Sequence, residues 1–433
     1  MQANTKPPIM KIRASKRNID YVLFRLRTFN LGESALKLWG NPIAEAKFVL
    51  KQSDKLLRTA RSEQHNHTAL LDLDSLLNDG YIFIPAYRRD GVGIQAFVRI
   101  CTLFLAQQVN ATYFHIPFLE LQHQDTDPMG QSLSVIEWSK KWEKFLNLGK
   151  DEQQITTLEN QVGSKALARK MVCPNSQYGK PGQPIQTDLA TFLHQSAAED
   201  TQLESISVFD LRFFRESPSR LSFDTAFINR LQAKFEANNY VPQSQLYSDQ
   251  FLDIAIHIRR GDVWKSYQAG EQRQAEEIRF VEEGYYVELL QRLQTLFQKS
   301  VKPVRFHIIS DGSPSDFPQF TFISATEAHL KPASGSDVEN IQFHLAQTSL
   351  DALYHLIKAP VLLPAKSSFS VLAVLFGKSY VLYDETIRAF YQYDFLSDYM
   401  QQNPRFVLID DLAAHVDKIL EGVPYELSST GKH

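Results

Sequence analysis

Six consecutive residues, His257-Ile-Arg259-Arg260-Gly-Asp262, bring together an imidazole, two guanidiniums, a glycine and a carboxylate directly after the apolar run Leu252-Asp-Ile-Ala-Ile. A guanidinium is a planar fork of N–H donors that suits a phosphate or diphosphate, and two in succession can serve opposite sides of one loop. Asp262 is the first carboxylate in this loop able to act as a general base, with Glu271 the next. The bland alternative is a strand-to-loop turn whose charges pair on the surface, where an ion pair is worth only ~0–1 kcal/mol.

An apolar strand must deliver these groups. Residues 252–258 cluster Ile and Ala as a buried β-strand does. In open α/β sheets ligands sit in the crevice outside the carboxyl ends of the strands, so Arg259 and Arg260 are expected to face a bound group. Neighbouring strands should then end in polar residues too. Val304-Arg-Phe-His-Ile-Ile309 leads into Ser310-Asp311, and Val361-Leu-Leu363 leads into Pro364-Ala-Lys-Ser367-Ser368-Phe-Ser370 at the start of a helix. Ser367, Ser368 and Ser370 can cap that helix and offer hydroxyls to a phosphate beside its unpaired N–H groups. Asp311 can accept the N1–H and N2–H₂ edge of guanine as a bidentate pair, with His257 against the base or a phosphate.

From 284 onward the pattern alternates: helix 284–297, strands 304–309 and 320–323, helix 348–358, strand 361–363, helix 367–376, strands 380–383 and 406–409, helix 412–420. Such alternation predicts a parallel sheet with helices on both faces, a Rossmann-like C-terminal domain. Nearer the start, strand 81–85, a loop through 88–95, an amphipathic run 96–109 and strand 112–116 form a β–loop–α–β unit. Gly91 and Gly93 in that loop can let backbone N–H groups approach an anion. Helical patterns also cover 30–61, 70–77, 135–146, 158–171 and 222–238, a strand covers 206–214, and 239–250 reads as a polar hinge. His65 and His67 lie in a polar connector without a third ligand, and Asp125-Thr-Asp127 sits in a polar loop with no apolar strand leading into it.

A chain of 433 residues exceeds the size at which single cores stop growing, so two domains are the default. The net charge of −3 argues against a nucleic-acid binder relying on a basic face. Two cysteines, Cys101 and Cys173, are too few for a disulfide framework and lack zinc-site spacing, which suggests a reducing, cytoplasmic setting. No window approaches ~18 uninterrupted apolar residues, so no membrane span is expected.

His257-Ile-Arg259-Arg260-Gly-Asp262 resembles the His-x-Arg-Arg motif of the GDP-fucose-dependent α1,2-, α1,6- and protein O-fucosyltransferase superfamily. Ser310-Asp311 after a strand resembles its second motif, and Ser367-Ser368-Phe-Ser370, followed by Ala373, its third. Asp90-Gly91-Val-Gly93-Ile-Gln95 is similar to its Gly-x-Gly-Asn-Gln loop, with Ile94 in place of the usual Asn. The likeness covers 81–116 loosely and 252–383 more firmly. It implies a GT-B fold, two Rossmann-like domains facing a cleft, and a metal-independent inverting transfer from GDP-β-L-fucose to a glycan or peptide hydroxyl. The implied roles place Arg259 and Arg260 on the diphosphate, His257 and Asp311 around guanine, and Ser368 with its neighbours on phosphate or fucose. Expected domains are a helical extension over 1–75, an acceptor domain over 76–245 and a nucleotide-sugar domain over 246–433. Competing readings are a GT-B transferase using another sugar nucleotide, and a non-catalytic glycan- or protein-binding module on a degenerate fold.

Overall fold

The computed structural model describes residues 82–85, 91–108, 112–118, 121, 134–154, 171–172, 206–209, 223–268, 279–322, 327–330, 340–345, 347–385, 387 and 396–422. The expected helices over 30–61 and 70–77, His65, His67, Asp125, Asp127 and Glu271 lie outside them. Two compact units divide the chain: one holds residues 1–89, 101–119 and 152–219, the other residues 90–100, 120–151 and 220–433.

The first unit carries a five-stranded parallel sheet in the order β3-β2-β1-β5-β4. Its strands are β1 (Ile82–Pro85), β2 (Thr112–His115), β3 (Gln153–Gln154), β4 (Met171–Val172) and β5 (Ile206–Phe209). Met171, expected to end a helix, opens β4 instead. Helix α1 (Val92–Gln108) begins in the second unit and ends in the first. It starts four residues earlier than the apolar pattern over 96–109 suggests, so Gly93 belongs to its first turn and not to the preceding loop.

The second unit is built on an eight-stranded sheet, β13-β12-β11-β6-β7-β10-β9-β8. These are β6 (Leu252–Ile258), β7 (Val304–Ser310), β8 (Phe320–Phe322), β9 (Glu327–Leu330), β10 (Ile341–His344), β11 (Val361–Leu363), β12 (Tyr380–Tyr383) and β13 (Phe406–Leu408). Six of them, β6, β7, β10, β11, β12 and β13, run parallel. Numbered by their order in the chain, they lie in space as 3-2-1-4-5-6, the Rossmann order, with the switch point between β6 and β11. Only β8 and β9 break the parallel pattern: β9 pairs antiparallel with both β8 and β10.

All seven residues of β6 are buried, which follows from coverage on both faces. Leu252, Ile254, Ile256 and Ile258 point into a core shared with Tyr286, Leu290 and Leu293 of helix α5 (Glu283–Leu296). The opposite face holds Asp253 and His257. Buried Asp253 is satisfied by Arg305 Nε (2.7 Å), His307 Nε2 (2.9 Å) and the Ser248 N–H (2.8 Å). The remaining helices of this unit are α2 (Val135–Leu146), α3 (Thr225–Glu236), α4 (Gly261–Gln268), α6 (Ser349–Lys358), α7 (Ser368–Phe376), α8 (Ser397–Gln402) and α9 (Val416–Gly422). Ser134 and Glu137 close a reciprocal capping box on α2, whose Trp142 and Phe145 face the core of this unit.

The polar segment 239–250 is not loose. Tyr240 Oη (2.9 Å) and the Gln243 N–H (3.2 Å) both donate to Asp351 on α6, and Tyr247 Oη donates to the His355 carbonyl (2.7 Å). Buried acceptors on the sheet and on α6 therefore fix the segment that composition marked as a hinge. No helix among the described residues is long and apolar enough to cross a membrane.

Candidate functional site

Strand β6 ends at Ile258 and turns sharply into α4 through Arg259, Arg260 and Gly261. Gly261 sits at φ +35°, in the left-handed region, and a Cβ there would collide with the Asp311 carboxylate. Glycine is required here on both counts. Asp311, at the end of β7, braces the turn: its Oδ1 accepts the Arg260 backbone N–H at 2.8 Å, and its Oδ2 pairs with Arg259 Nη1. Arg259 Nη2 pairs with Asp262 in the first turn of α4. The Arg259 guanidinium, about one-fifth exposed (22%), is thus held between two carboxylates at the carboxyl edge of the sheet. The edge of Asp311 expected to read guanine is engaged by the Arg260 N–H and the Arg259 guanidinium.

Arg260, expected beside Arg259 on a diphosphate, turns away from it. Successive side chains of an extended segment point to opposite faces, so when Arg259 stands on the His257 side, Arg260 enters the core. It is 1% exposed, its Nη1 donates to the carbonyls of Val281 (3.0 Å) and Arg259 (3.3 Å), and Nε has no hydrogen-bond partner among the described residues. Trp264, Phe280, Tyr286 and Phe317 surround the guanidinium carbon at 5.3–5.9 Å to their ring centres. Burial lowers its pKa, while Tyr286, Glu283, Asp316 and Asp311 act to raise it. The cation is a buried brace under the turn.

His257 also faces inward. Its Nδ1 lies 2.5 Å from Ser370 Oγ, which in turn accepts the Ala365 N–H at 3.0 Å. Both residues are buried, so the Ser370 hydroxyl is occupied in tying β6 to the loop after β11. Burial first, and the nearby Arg259 charge second, push the His257 pKa down to about 3. The imidazole is therefore neutral at physiological pH and offers no cation to a phosphate.

Across the switch point, Pro364–Lys366 lead from β11 into α7. Ser367 is the N-cap, its Oγ accepting the Phe369 N–H at 3.2 Å, while Ser368 is half-buried in the first turn. The first turn of α1 meets this one: a Cβ on Gly93 would lie 2.6 Å from the Phe369 nitrogen and 2.7 Å from Ser368 Oγ. Two helix N-termini, each with positive partial charge, are thereby brought together, with half-exposed Gly91 just before α1. Arg259, Asp262 and Asp311 form one group at the β6 and β7 ends; Gly91, Gly93, Ser367 and Ser368 form another at the α1 and α7 starts. His257 and Ser370 link the strand beneath them, and Arg260 stands apart.

Two residues here were passed over in the sequence. Lys366, half-buried between the end of β11 and the N-cap, had a signal: a cation inside a strand-to-helix serine loop. Phe369 packs its ring against His257 at 5.7 Å and against Trp142 at 6.3 Å, a tertiary arrangement with no local signature. Among the described residues no group of three or more His, Cys, Asp or Glu is placed to hold a metal ion.

No protein-family model matches the chain, and no curated protein matches it in sequence. Among solved structures the chain is similar to POFUT1 in complex with GDP-fucose, at 13% identity over 70% of this chain and 96% of that one, with a TM-score of 0.33. It is also similar to NodZ α-1,6-fucosyltransferase co-crystallised with GDP, at 13% identity over 69% and 93%, with a TM-score of 0.23. Fucosyltransferase NodZ from Bradyrhizobium matches at 13% identity over 69% and 93%, again with a TM-score of 0.23. Likenesses this distant assign no activity; the functional reading rests on the residues of the site.

Proposed function

We propose that the chain is a metal-independent glycosyltransferase that takes GDP-fucose as donor and a glycan or peptide hydroxyl as acceptor, on a GT-B arrangement of two Rossmann-like domains. The observation that carries this reading is the switch point of the parallel sheet, where Arg259 at the end of β6 lies across from the capped start of α7, itself packed on Gly93 at the start of α1. Open α/β sheets bind ligands at this position, and arginine with helix N–H groups is diphosphate chemistry.

In the proposed reaction Arg259 and the α7 N-terminus stabilise negative charge on the leaving GDP, a contribution of several kcal/mol for one well-placed arginine. The diphosphate must share or displace the carboxylates that now hold Arg259. Displacing Asp262 frees an exposed carboxylate beside the reacting centre to accept the acceptor's proton. Arg260 keeps the turn rigid from below, and neutral His257 fixes the strand to α7. Calorimetric titration of the full chain with GDP, UDP and ADP tests the donor class: GDP is expected to bind tightest, and tighter UDP or ADP binding overturns the GDP-fucose reading.

A further inference from the structure

Three polar side chains cross the sheet of the second unit on a diagonal, one from each of three neighbouring strands. His307 on β7 sets its Nε2 2.9 Å from Asp253 Oδ1 on β6 and its Nδ1 3.0 Å from His344 Nε2 on β10. Asp253 also accepts Arg305 Nε (2.7 Å), Arg305 Nη2 (3.1 Å) and the Ser248 N–H (2.8 Å). Burial opposes its charge, but the bonds from His307 and Arg305 outweigh burial and keep its pKa below the ordinary value. A carboxylate only accepts, so the proton of neutral His307 sits on Nε2 and its Nδ1 is an acceptor. His344 Nε2 must therefore donate, which leaves the lone pair of that ring on Nδ1. Burial first, and the His307, His355 and Arg305 charges after it, push the His344 pKa down to about 3, so the lone pair is available at physiological pH.

The lone pair faces the carboxyl edge of the sheet. His344 is level with Ile309 and His307 with Gln342, so His344 Nε2 reaches back along the strands. The bonding directions of the two ring nitrogens diverge widely, and Nδ1 accordingly points forward, to where Ser310 and Asp311 leave β7. Nδ1 makes no hydrogen bond among the described residues and, unlike His355 Nε2, is not enclosed as an unpaired buried atom. Two strand spacings, roughly 10 Å, separate β10 from β6. A nucleoside diphosphate held at Arg259 is long enough to cover that distance along the carboxyl edge, where such sheets bind nucleotides. The donor edge of guanine presents adjacent N–H groups and needs paired acceptors, whereas one imidazole lone pair matches one hydroxyl. We propose that His344 is a binding residue for the donor, its Nδ1 accepting a hydrogen bond from a ribose hydroxyl, with His307 and Asp253 as the positioning residues that fix its tautomer. This rests on the sugar-nucleotide reading of the site.

Calorimetric titration of the full chain, wild type and His344→Phe, with GDP, 2′-deoxy-GDP and 3′-deoxy-GDP tests the contact. Loss of one ribose hydroxyl is expected to weaken wild-type binding roughly tenfold, and His344→Phe is expected to bind GDP and that analogue equally. A variant that weakens all three nucleotides by one factor, keeping the wild-type ratio between them, reveals a merely structural role and overturns the proposal. Nitrogen NMR of the histidine rings in wild type reads the array with no ligand present. His344 should hold its proton on Nε2 between about pH 5 and pH 8, and a proton on Nδ1 overturns the proposal even where the variant fails to fold. Wild type that binds GDP and both deoxy analogues equally overturns this contact alone, whereas wild type that binds no nucleotide overturns the donor reading with it.

Discussion

At the scale of single residues, adjacent side chains in the motif divide between the sheet edge and the core. Arg259 remains at the sheet edge, while Arg260 is enclosed by four aromatic rings and two carbonyls. Arg260→Ala should therefore cost stability, about 3–5 kcal/mol, because it empties a tightly packed site and unpairs the Val281 carbonyl. Chemical denaturation measures this, and a loss below ~1 kcal/mol would contradict the scaffold role. Ser370→Ala should cost about 1–3 kcal/mol in the same assay, by leaving the Ala365 N–H and His257 Nδ1 buried without their partner. The sequence showed that charged residues leave the strand together. It did not show which of them turned inward, because the direction depends on where the extended backbone ends and the left-handed Gly261 begins.

Between elements, the decisive contact is the abutment of α1 and α7. Gly93→Val should drive a side chain into the Ser368–Phe369 peptide, weakening GDP binding at least tenfold and lowering stability by about 1–3 kcal/mol. Calorimetry with thermal unfolding separates the two effects, and unchanged GDP affinity would remove the α1 start from the site. Much of the element layout was legible in the sequence. Long apolar runs such as 252–258 and 304–309 gave β6 and β7, and helix 135–146 coincides with α2, whose Ser134–Glu137 capping box marks its start. Strands β9 and β10 were missed, since Glu327–Leu330 and Ile341–His344 alternate polar residues with apolar ones over only four positions each. The antiparallel β8–β9–β10 excursion follows no helix-strand alternation and had no signal of its own.

Across the whole molecule, the second unit keeps several histidines buried and neutral. In the unfolded chain a histidine takes up its proton near pH 6.5. In the fold, burial holds His257 and His344 down to about 3 and His355 down to about 4, and lowers His307 despite its bond to Asp253. Below pH 6.5 the unfolded state binds protons that the folded state refuses, so stability is full above that pH and falls as pH drops toward 4. His257 and His344 each approach a slope of about 1.4 kcal/mol per pH unit in the middle of this window, and His355 and His307 act in the same direction. Thermal midpoints should accordingly decline from pH 6.5 to pH 4.5, and a flat profile would contradict neutral burial. The parallel α/β sheet was foreshadowed by alternating patterns, whereas the strand order and the switch point it creates are properties of the fold in space, which no local pattern encodes.

Arg259, at this switch point, is proposed to hold the diphosphate of the donor. This is read by calorimetric titration of GDP into wild type and Arg259→Ala, with both shown to be folded by their thermal transitions. Wild type is expected to bind GDP and Arg259→Ala to lose at least tenfold in affinity, about 1.4 kcal/mol or more. Equal GDP affinity in the two proteins, or no GDP binding by wild type, would remove Arg259 from the donor site.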